Sequence, residues 1–321
     1  MPASPNKSGS RPQSFIDRFF FDWFPAEALG AVRFYFGIGL FIYMNIQYAH
    51  LFTIDPNGAQ FHFTLPIWYF DLLGVDHITQ WTIYAVHAVL LASCVLFTLG
   101  KWTKPAIIAL IISMAYMKGM RDSIAGDVHH REIPIVFCLI VFFFSKCDRM
   151  FSLDAKRKGW GPIEDWEASW PLRAMQVYIV MFYFWALVAK LRLSGLDWFE
   201  GGGRIQEVLL SRAVRDGFTS DGHVAGLSLA YQLAHHPSLV FLLGSLVFVF
   251  ELLSPLALFT RDKRLIVFFL IGATIFHLSN YFLMNVQFFF YPFVFVVFFN
   301  MAVFHRWIKE RLPSTGQAAL N

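Results

Sequence analysis

The sequence predicts an all-α fold: a polytopic integral membrane bundle of about eight transmembrane helices, with interfacial helices on its outer face. Three observations support this class. Only 15% of the 321 residues are charged, against roughly 25% in soluble chains. Apolar runs approach or exceed the ~18 residues that a membrane crossing needs, and the basic residues gather between these runs. The diffuse net charge of +4 gives no reason to expect nucleic acid as a partner.

Eight apolar runs define the predicted spans. They lie at approximately 28–50, 78–100, 105–120, 132–147, 171–193, 238–260, 264–282 and 284–304. The last two form one apolar stretch that is too long for a single crossing of a ~30 Å core, so a turn is expected near Ser279–Gln287. The expected organisation is a cytoplasmic segment at 1–27, a transmembrane domain at 28–304 and a cytoplasmic tail at 305–321. Residues 1–27 lack a cleavable signal pattern, so the first span is expected to stay as an anchor.

The basic residues predict the orientation. Most Lys and Arg residues fall in segments that are cytoplasmic if both termini are inside, as the positive-inside rule requires. The exceptions on the outer side cluster at 118–131 and 190–215. They indicate either a site on that face, or side chains that snorkel or form salt bridges with neighbouring acidic residues.

The segment 197–236 does not have the pattern of a membrane span. Trp198 and Phe199 precede Gly201–Gly203, and each glycine in a helix interior costs about 1 kcal/mol. From Arg204 to Val214 apolar and charged residues alternate with helical periodicity. We therefore expect interfacial or re-entrant helices that cap the outer face.

Lys190 follows a run without charge from Val177 to Ala189. An ionisable group at membrane depth costs several kcal/mol and usually faces a cavity or a partner. A desolvated lysine favours the neutral amine, which accepts a proton, and this predicts a base at Lys190. The alternative is a lysine that snorkels to the interface.

Glu251 lies inside the sixth predicted span. A buried carboxylate is protonated or paired with a base. Arg33 in the first span is the first expected partner, and Lys190 is the second. The pair then either serves function or fixes helix packing.

Histidines and amides complete the candidates. His277 is followed by Asn280 and Asn285, which together could position a polar ligand, although a structural His277 is the alternative. His129 and His130 open the fourth predicted span, and because neighbours on a helix point about 100° apart, one of them is expected to face the bundle.

No metal is expected from the spacing of the potential ligands. Neither His-x-x-x-His nor Cys-x-x-Cys occurs within a span, so the usual metal-binding patterns are missing. Cys94, Cys138 and Cys147 lie in or beside apolar runs. They are expected to be small core residues and not a disulfide framework.

Four motifs in the same order resemble one known family. In chain order they are HHREIPIVFCLIVFFFSKCDRMFSLDA, YFWALVAKL…GLDW…GG, FELLSPLALF and FHLSNYFLMNVQFFFYPFVFVVFF. They resemble the vitamin K-dependent γ-glutamyl carboxylases, whose bacterial branch is the horizontally transferred transmembrane (HTTM) domain. The resemblance covers about 28–304 and implies a bacterial inner (plasma) membrane as the location.

The resemblance implies a chemistry and its residues. In that family a lysine deprotonates reduced vitamin K, a lipid-soluble quinol, which with O2 is converted to an epoxide while CO2 carboxylates a peptide glutamate. Lys190 would be the base, and His277 with His130, or His129, would assist at the quinol. Trp198 matches the tryptophan of the signature. The implied partners are the lipid bilayer, a quinone-type lipid and a peptide or protein substrate that contains glutamate.

Two other functions stay open. The eukaryotic carboxylases carry a long lumenal region after their spans, whereas this sequence ends at Asn321. A non-carboxylating factor for maturation or export of a secreted peptide, and a catalytically inactive membrane scaffold, are the alternatives.

Overall fold

The all-α prediction is confirmed by a computed structural model that describes residues 14–22, 24–53, 61–63, 65–126, 128, 130–198, 203–219, 225–284, 286, 288 and 291–311. The chain divides into two compact units. The first comprises Met1–Met175 and Phe299–Asn321, and the second comprises Gln176–Phe298. Of the predicted site residues, His129 and Asn285 lie outside the described residues.

Thirteen α-helices and two short strands occur in the described residues. In chain order they are α1 (Phe15–Phe21), α2 (Ala26–Tyr48), β1 (Phe61–His62), α3 (Trp68–Leu72), β2 (His77–Ile78), α4 (Gln80–Leu99), α5 (Thr103–Ala125), α6 (Ile133–Phe144), α7 (Leu153–Lys158), α8 (Asp165–Ser194), α9 (Gly203–Thr219), α10 (Ala225–Ala234), α11 (Pro237–Leu253), α12 (Lys263–Met284) and α13 (Met301–Arg311). Further 3-10 helices cover Ala49–Thr53, Gly195–Trp198, Ser254–Leu258 and Tyr291–Phe298. The strands pair antiparallel.

The core of the first unit forms where α2, α4, α5 and α6 pack together. Phe36 of α2 makes edge contacts with Phe97 of α4 and Phe142 of α6, with ring centroids 6.4 and 5.4 Å apart. All three rings are fully buried, and each buried aromatic contributes roughly 1.5–3 kcal/mol. The helices approach closely at Gly37, where a Cβ atom would lie 2.2 Å from Thr98 Oγ1.

The turn between α4 and α5 is held by Asp154. Gly100 ends α4 with a positive φ of 67°, and its carbonyl accepts a hydrogen bond from Asp154 N at 2.8 Å. The Asp154 carboxylate accepts from Thr103 N and Thr103 Oγ1 at 3.0 and 3.2 Å, which satisfies donors at the start of α5. Burial alone would raise the pKa of Asp154, but hydrogen bonds from the backbone of Thr103 and Trp102 outweigh it and leave the pKa below its usual value.

The second unit contains a small apolar core where α9 and α10 pack with the start of α11. The buried members of this core are Ile205, Leu209, Ala230, Leu233, Ala234 and Val240. Partly buried Leu283 and Met284 of α12 pack against it. The helices predicted within 197–236 are therefore present, and their location at a membrane interface stays a prediction.

The eight predicted spans are not confirmed. Among the described residues, five helical segments are long and apolar enough to cross a membrane: Ala26–Tyr48, Gln80–Leu99, Asp165–Trp198, Pro237–Leu258 and Lys263–Met284. The third predicted span corresponds to α5, which carries Lys104, Lys118, Arg121 and Asp122, and the fourth to α6, which has only 12 residues. The eighth falls on the 3-10 helix Tyr291–Phe298 and α13.

The turn between the last two predicted spans was expected near Ser279–Gln287. The structure places the end of the helix at Met284, in the second half of that range. Helix α12 continues without a break through Ser279 to Met284. Val286 N then donates to the carbonyl of Asn280 at 3.2 Å, so the chain leaves the helix at its last turn.

The three cysteines are core residues, as predicted. Cys94, Cys138 and Cys147 are fully buried, and none forms a disulfide. Cysteine behaves here as a small hydrophobic side chain.

Candidate functional site

Lys190 pairs with Glu251 in the second unit. Lys190 lies near the end of α8 and Glu251 lies near the end of α11. Lys190 Nζ donates a hydrogen bond to Glu251 Oε1 and forms a salt bridge with it. The Lys190 side chain is 21% exposed and that of Glu251 is 0% exposed. Lys190 therefore has a specific acidic partner, which simple snorkelling to the interface does not require.

One oxygen of Glu251 is left open. Among the described residues no hydrogen-bond partner is found for the buried Glu251 Oε2. Leaving a buried acceptor without a partner costs roughly 1–3 kcal/mol, and more if it is charged. A group with a hydroxyl or another donor would relieve this cost.

Aromatic rings line the pair. Lys190 Nζ lies 5.8 Å from the ring centroids of both Trp198 and Phe276. Phe276 in turn stacks on Phe250, with centroids 6.1 Å apart. Such rings attract the ammonium group through their faces. They also reduce access of water, which strengthens the interaction between Lys190 and Glu251.

His277 is held by Tyr183. The His277 side chain on α12 is buried, and Tyr183 Oη lies 2.7 Å from His277 Nε2. Tyr183 precedes Lys190 by about two helical turns, which places both on the same side of α8. Since His277 directly follows Phe276, the helices α8, α11 and α12 bring Lys190, Glu251 and His277 into one aromatic cluster of the second unit.

The partner first expected for Glu251 was wrong. Arg33, which is fully buried in the first unit, donates to backbone carbonyls of Phe97, Thr98, Cys147 and Phe151. The planar fork of a guanidinium has five N–H donors and suits several carbonyls at once. Arg33 therefore joins the end of α4 to the segment before α7 and has a structural role.

The remaining predicted residues occupy different environments. His130 belongs to the first unit and is exposed, and its carbonyl accepts from Ile133 N at 3.1 Å at the start of α6. Asn280 on α12 is half-buried. Trp198 ends the 3-10 helix Gly195–Trp198 and contacts the pair as described above.

The basic cluster at 118–131 forms ion pairs. Lys118 pairs with Asp122, and Arg121 pairs with both Asp122 and Glu132. Arg131 Nε lies 3.4 Å from Glu132 Oε1. The salt-bridge interpretation of this cluster is therefore confirmed.

Sequence reasoning missed Tyr183 and the phenylalanines of the cluster. Tyr183 shares a helix face with Lys190, which is a periodicity visible in the sequence. Its contact with His277 joins residues 94 positions apart, and no local pattern encodes such a pairing.

Taken together, the cluster has the groups needed for proton transfer beside an apolar ligand. A lysine and a carboxylate that share a hydrogen bond can exchange one proton between them, and their protonation states are coupled. A histidine with a fixed ring orientation lies on the neighbouring helix.

A comparison with known protein families identifies the relationship. The model of the HTTM domain matches residues 22–307, and this domain is found in vitamin K-dependent carboxylases. No curated protein and no solved structure matches the chain. Because the match covers nearly all of the sequence, the chain belongs to the HTTM domain family.

Proposed function

We propose that the protein is a membrane-embedded, quinol-dependent carboxylase-like or epoxidase-like enzyme in which Lys190 is the base. The observation that carries this proposal is the hydrogen-bonded pair of Lys190 and Glu251, with Glu251 Oε2 open, beside the rings of Trp198 and Phe276. Membership of a family whose domain is found in vitamin K-dependent carboxylases supports it. We place the protein in a bacterial inner membrane with both termini in the cytoplasm.

The residues fit reduced vitamin K or a related quinol. This ligand combines a flat aromatic diol with an apolar tail, so it is soluble in lipid. Trp198 and Phe276 would contact its ring, and Glu251 Oε2 would accept a hydrogen bond from one hydroxyl. With O2, the bound quinol would supply the driving force for carboxylation of a glutamate side chain by CO2.

The pairing changes how Lys190 acts as a base. An ammonium group hydrogen-bonded to a carboxylate already carries its proton, so it accepts another only if it gives the first one away. Lys190 would pass a proton from Nζ to Glu251 Oε1 and take the proton of the ligand hydroxyl at Nζ. One O–H and one N–H bond break while one N–H and one O–H bond form. Glu251 is thus the final proton acceptor, and Lys190 is the group that touches the ligand.

His277 would assist at the same ligand. Its hydrogen bond with Tyr183 limits rotation of the imidazole, and a preorganised polar group costs no reorganisation during reaction. Tyr183 is accordingly a positioning residue. The assisting role of His130 rests on the family resemblance alone.

The test measures oxygen uptake that depends on reduced vitamin K, with the full chain in nanodiscs. Lys190→Ala should lower the rate by about 10²–10⁴-fold, the usual contribution of an acid–base group. Lys190→Arg should be equally inactive, because arginine stays protonated and cannot relay a proton. A small exogenous amine should partly restore the alanine variant. Arg192→Lys, two residues further on at an exposed position, is the matched control and should leave the rate unchanged.

Several outcomes would reject the proposal. Full activity of Lys190→Arg would show that only a positive charge is required. Wild-type protein that consumes no oxygen with reduced vitamin K would leave a peptide-maturation factor or a membrane scaffold as the function. Thermal unfolding of each variant separates loss of chemistry from loss of fold.

A further inference from the structure

Three potential metal ligands gather in the first unit, outside the site described above. They are His62 at the end of β1, His77 at the start of β2, and Asp76 just before it. One ligand atom from each of these exposed side chains lies within 4.8 Å of the other two. His62 and His77 are register partners across the two strands, and their ring centroids are 5.3 Å apart.

The backbone that carries these side chains is anchored. Phe63 N donates to the carbonyl of Asp76 at 2.9 Å, which closes the pair of strands next to the cluster. Phe63, Phe70 and Ile78 are buried nearby. The imidazoles therefore extend from a fixed ladder, and a metal would not have to order this backbone on binding.

The charge of the cluster suits a cation. Asp76 Oδ1 lies 2.7 Å from His77 Nδ1. An aspartate carboxylate is negatively charged at neutral pH, and here it lies next to two imidazoles that can donate lone pairs to a metal.

We propose that His62, Asp76 and His77 bind one divalent transition-metal ion of the zinc class. Two imidazole nitrogens and one carboxylate oxygen are ligands that Zn²⁺ prefers, at about 2.0–2.2 Å. In tetrahedral geometry the ligand atoms would lie roughly 3.4 Å apart, so the side chains must adjust by rotation. The exposed side chains of His77 and Asp76, which are 41% and 71% accessible, leave room for this. The fourth position would hold water.

The site does not depend on the proposed function and is not visible in sequence spacing. Common zinc motifs place two ligands within a few residues of each other. Here Asp76 and His77 are neighbours in the sequence, which is not one of those motifs, and the antiparallel register brings His62 to them from the other strand.

The test uses the full chain in detergent, purified with a tag that contains no histidine and freed of bound metal with a chelator. Isothermal titration with Zn²⁺ should give one bound ion per chain. His62→Ala and His77→Ala should each weaken binding by more than about 100-fold, because a direct ligand contributes more than an outer-shell partner, whose loss costs about 10–100-fold. Asp76→Asn should weaken Zn²⁺ binding less, since the amide oxygen of asparagine can still act as a weak ligand. His235→Ala removes another exposed histidine and should change nothing.

A spectroscopic measurement tests the coordination of the metal independently of the binding affinity. Co²⁺ in place of Zn²⁺ should give the strong visible absorption of a four-coordinate site, and His62→Ala should remove it. Wild-type binding equal to that of the His62→Ala/His77→Ala double variant would overturn the proposal. So would an equal loss in His235→Ala.

Discussion

Two buried charge clusters of this protein differ in how fully the oxygens of their carboxylates are hydrogen-bonded. In the first unit, Asp122 receives hydrogen bonds from Lys118 and Arg121, and Glu132 receives them from Arg121 with Arg131 close by. In the second unit, Lys190 and Glu251 form a single pair with one carboxylate oxygen open. The first cluster is a network in which each carboxylate has basic partners, and the second leaves one carboxylate oxygen without a partner among the described residues.

The cations differ as well. Arg121 is 5% exposed, and an arginine cannot lose its proton in a protein. Lys190 is more accessible and carries an amine that can give up a proton. Arg121 thus bridges two carboxylates with a charge that it cannot lose, whereas Lys190 pairs with one carboxylate and has the exchangeable proton that the proposed mechanism requires.

The largest loss of stability is expected when the ion pairs of the first cluster are broken. Glu132→Gln removes a charge beside Arg121, which cannot become neutral. Loss of one partner of a buried pair costs about 3–5 kcal/mol, so the melting temperature in detergent should fall sharply. Glu207→Gln is the control, because Glu207 and Arg204 form an exposed pair worth at most ~1 kcal/mol. Equal stability of Glu132→Gln and wild type would contradict the structural role of the network.

The corresponding change in the second cluster should lower the free energy of unfolding less, but it should lower the rate of oxygen uptake strongly. Glu251→Gln keeps an oxygen that accepts from Lys190, and Lys190 can reach water or lose its proton. We expect a loss of about 1–3 kcal/mol, with oxygen uptake reduced as far as in Lys190→Ala. A Glu251→Gln variant that is as active as wild type would rule out the proton relay. If it unfolded like Glu132→Gln, the contrast between the clusters would disappear.

A smaller effect is expected when His277 loses its hydrogen bond with Tyr183. Tyr183→Phe removes the hydrogen bond to His277 Nε2 and keeps the aromatic packing with Phe250, whose centroid is 5.5 Å away. The expected loss of stability is about 1 kcal/mol. A positioning role predicts a lower maximal rate with little change in the apparent affinity for reduced vitamin K. Phe250→Leu is the comparison variant, because it alters packing without touching the hydrogen bond. Unchanged kinetics of the Tyr183→Phe variant would show that Tyr183 does not position His277 for the reaction.

The smallest effect is expected for Asp154, whose contribution to the stability of the turn after α4 should depend on pH. The folded pKa of Asp154 lies below its usual value, so its contribution is present above the pKa of the unfolded chain, about 3.9, and is lost as pH falls through the folded pKa. Asp154→Asn should cost about 0.5–1 kcal/mol near pH 7, as for a capping residue. The difference from wild type should shrink below about pH 4. Melting temperatures across this range test it, and a difference that grows in acid would contradict the sign.

Much of the architecture was predictable because it depends on local composition. Low charge and long apolar runs predicted helices that can cross a membrane. The break predicted at the glycines after Trp198 falls mainly on Gly201 and Gly202, which lie outside the described residues. The count of spans was harder, because α5 mixes apolar residues with Lys118, Arg121 and Asp122. A window of hydropathy cannot tell a crossing helix from one whose charges are buried in ion pairs.

The sequence alone determined that the chain is all-α, with several helices long and apolar enough to cross a membrane, and that Lys190 and Glu251 lie in apolar runs where charge is costly. Desolvation follows from neighbours along the chain, so the sequence carries that information directly. Only the tertiary structure decided that Glu251 pairs with Lys190, 61 residues away, and that Arg33 binds carbonyls instead. It also brought His62 to His77. Such contacts depend on how helices and strands pack, and the free energy that selects one packing is spread over many residues that no local pattern contains.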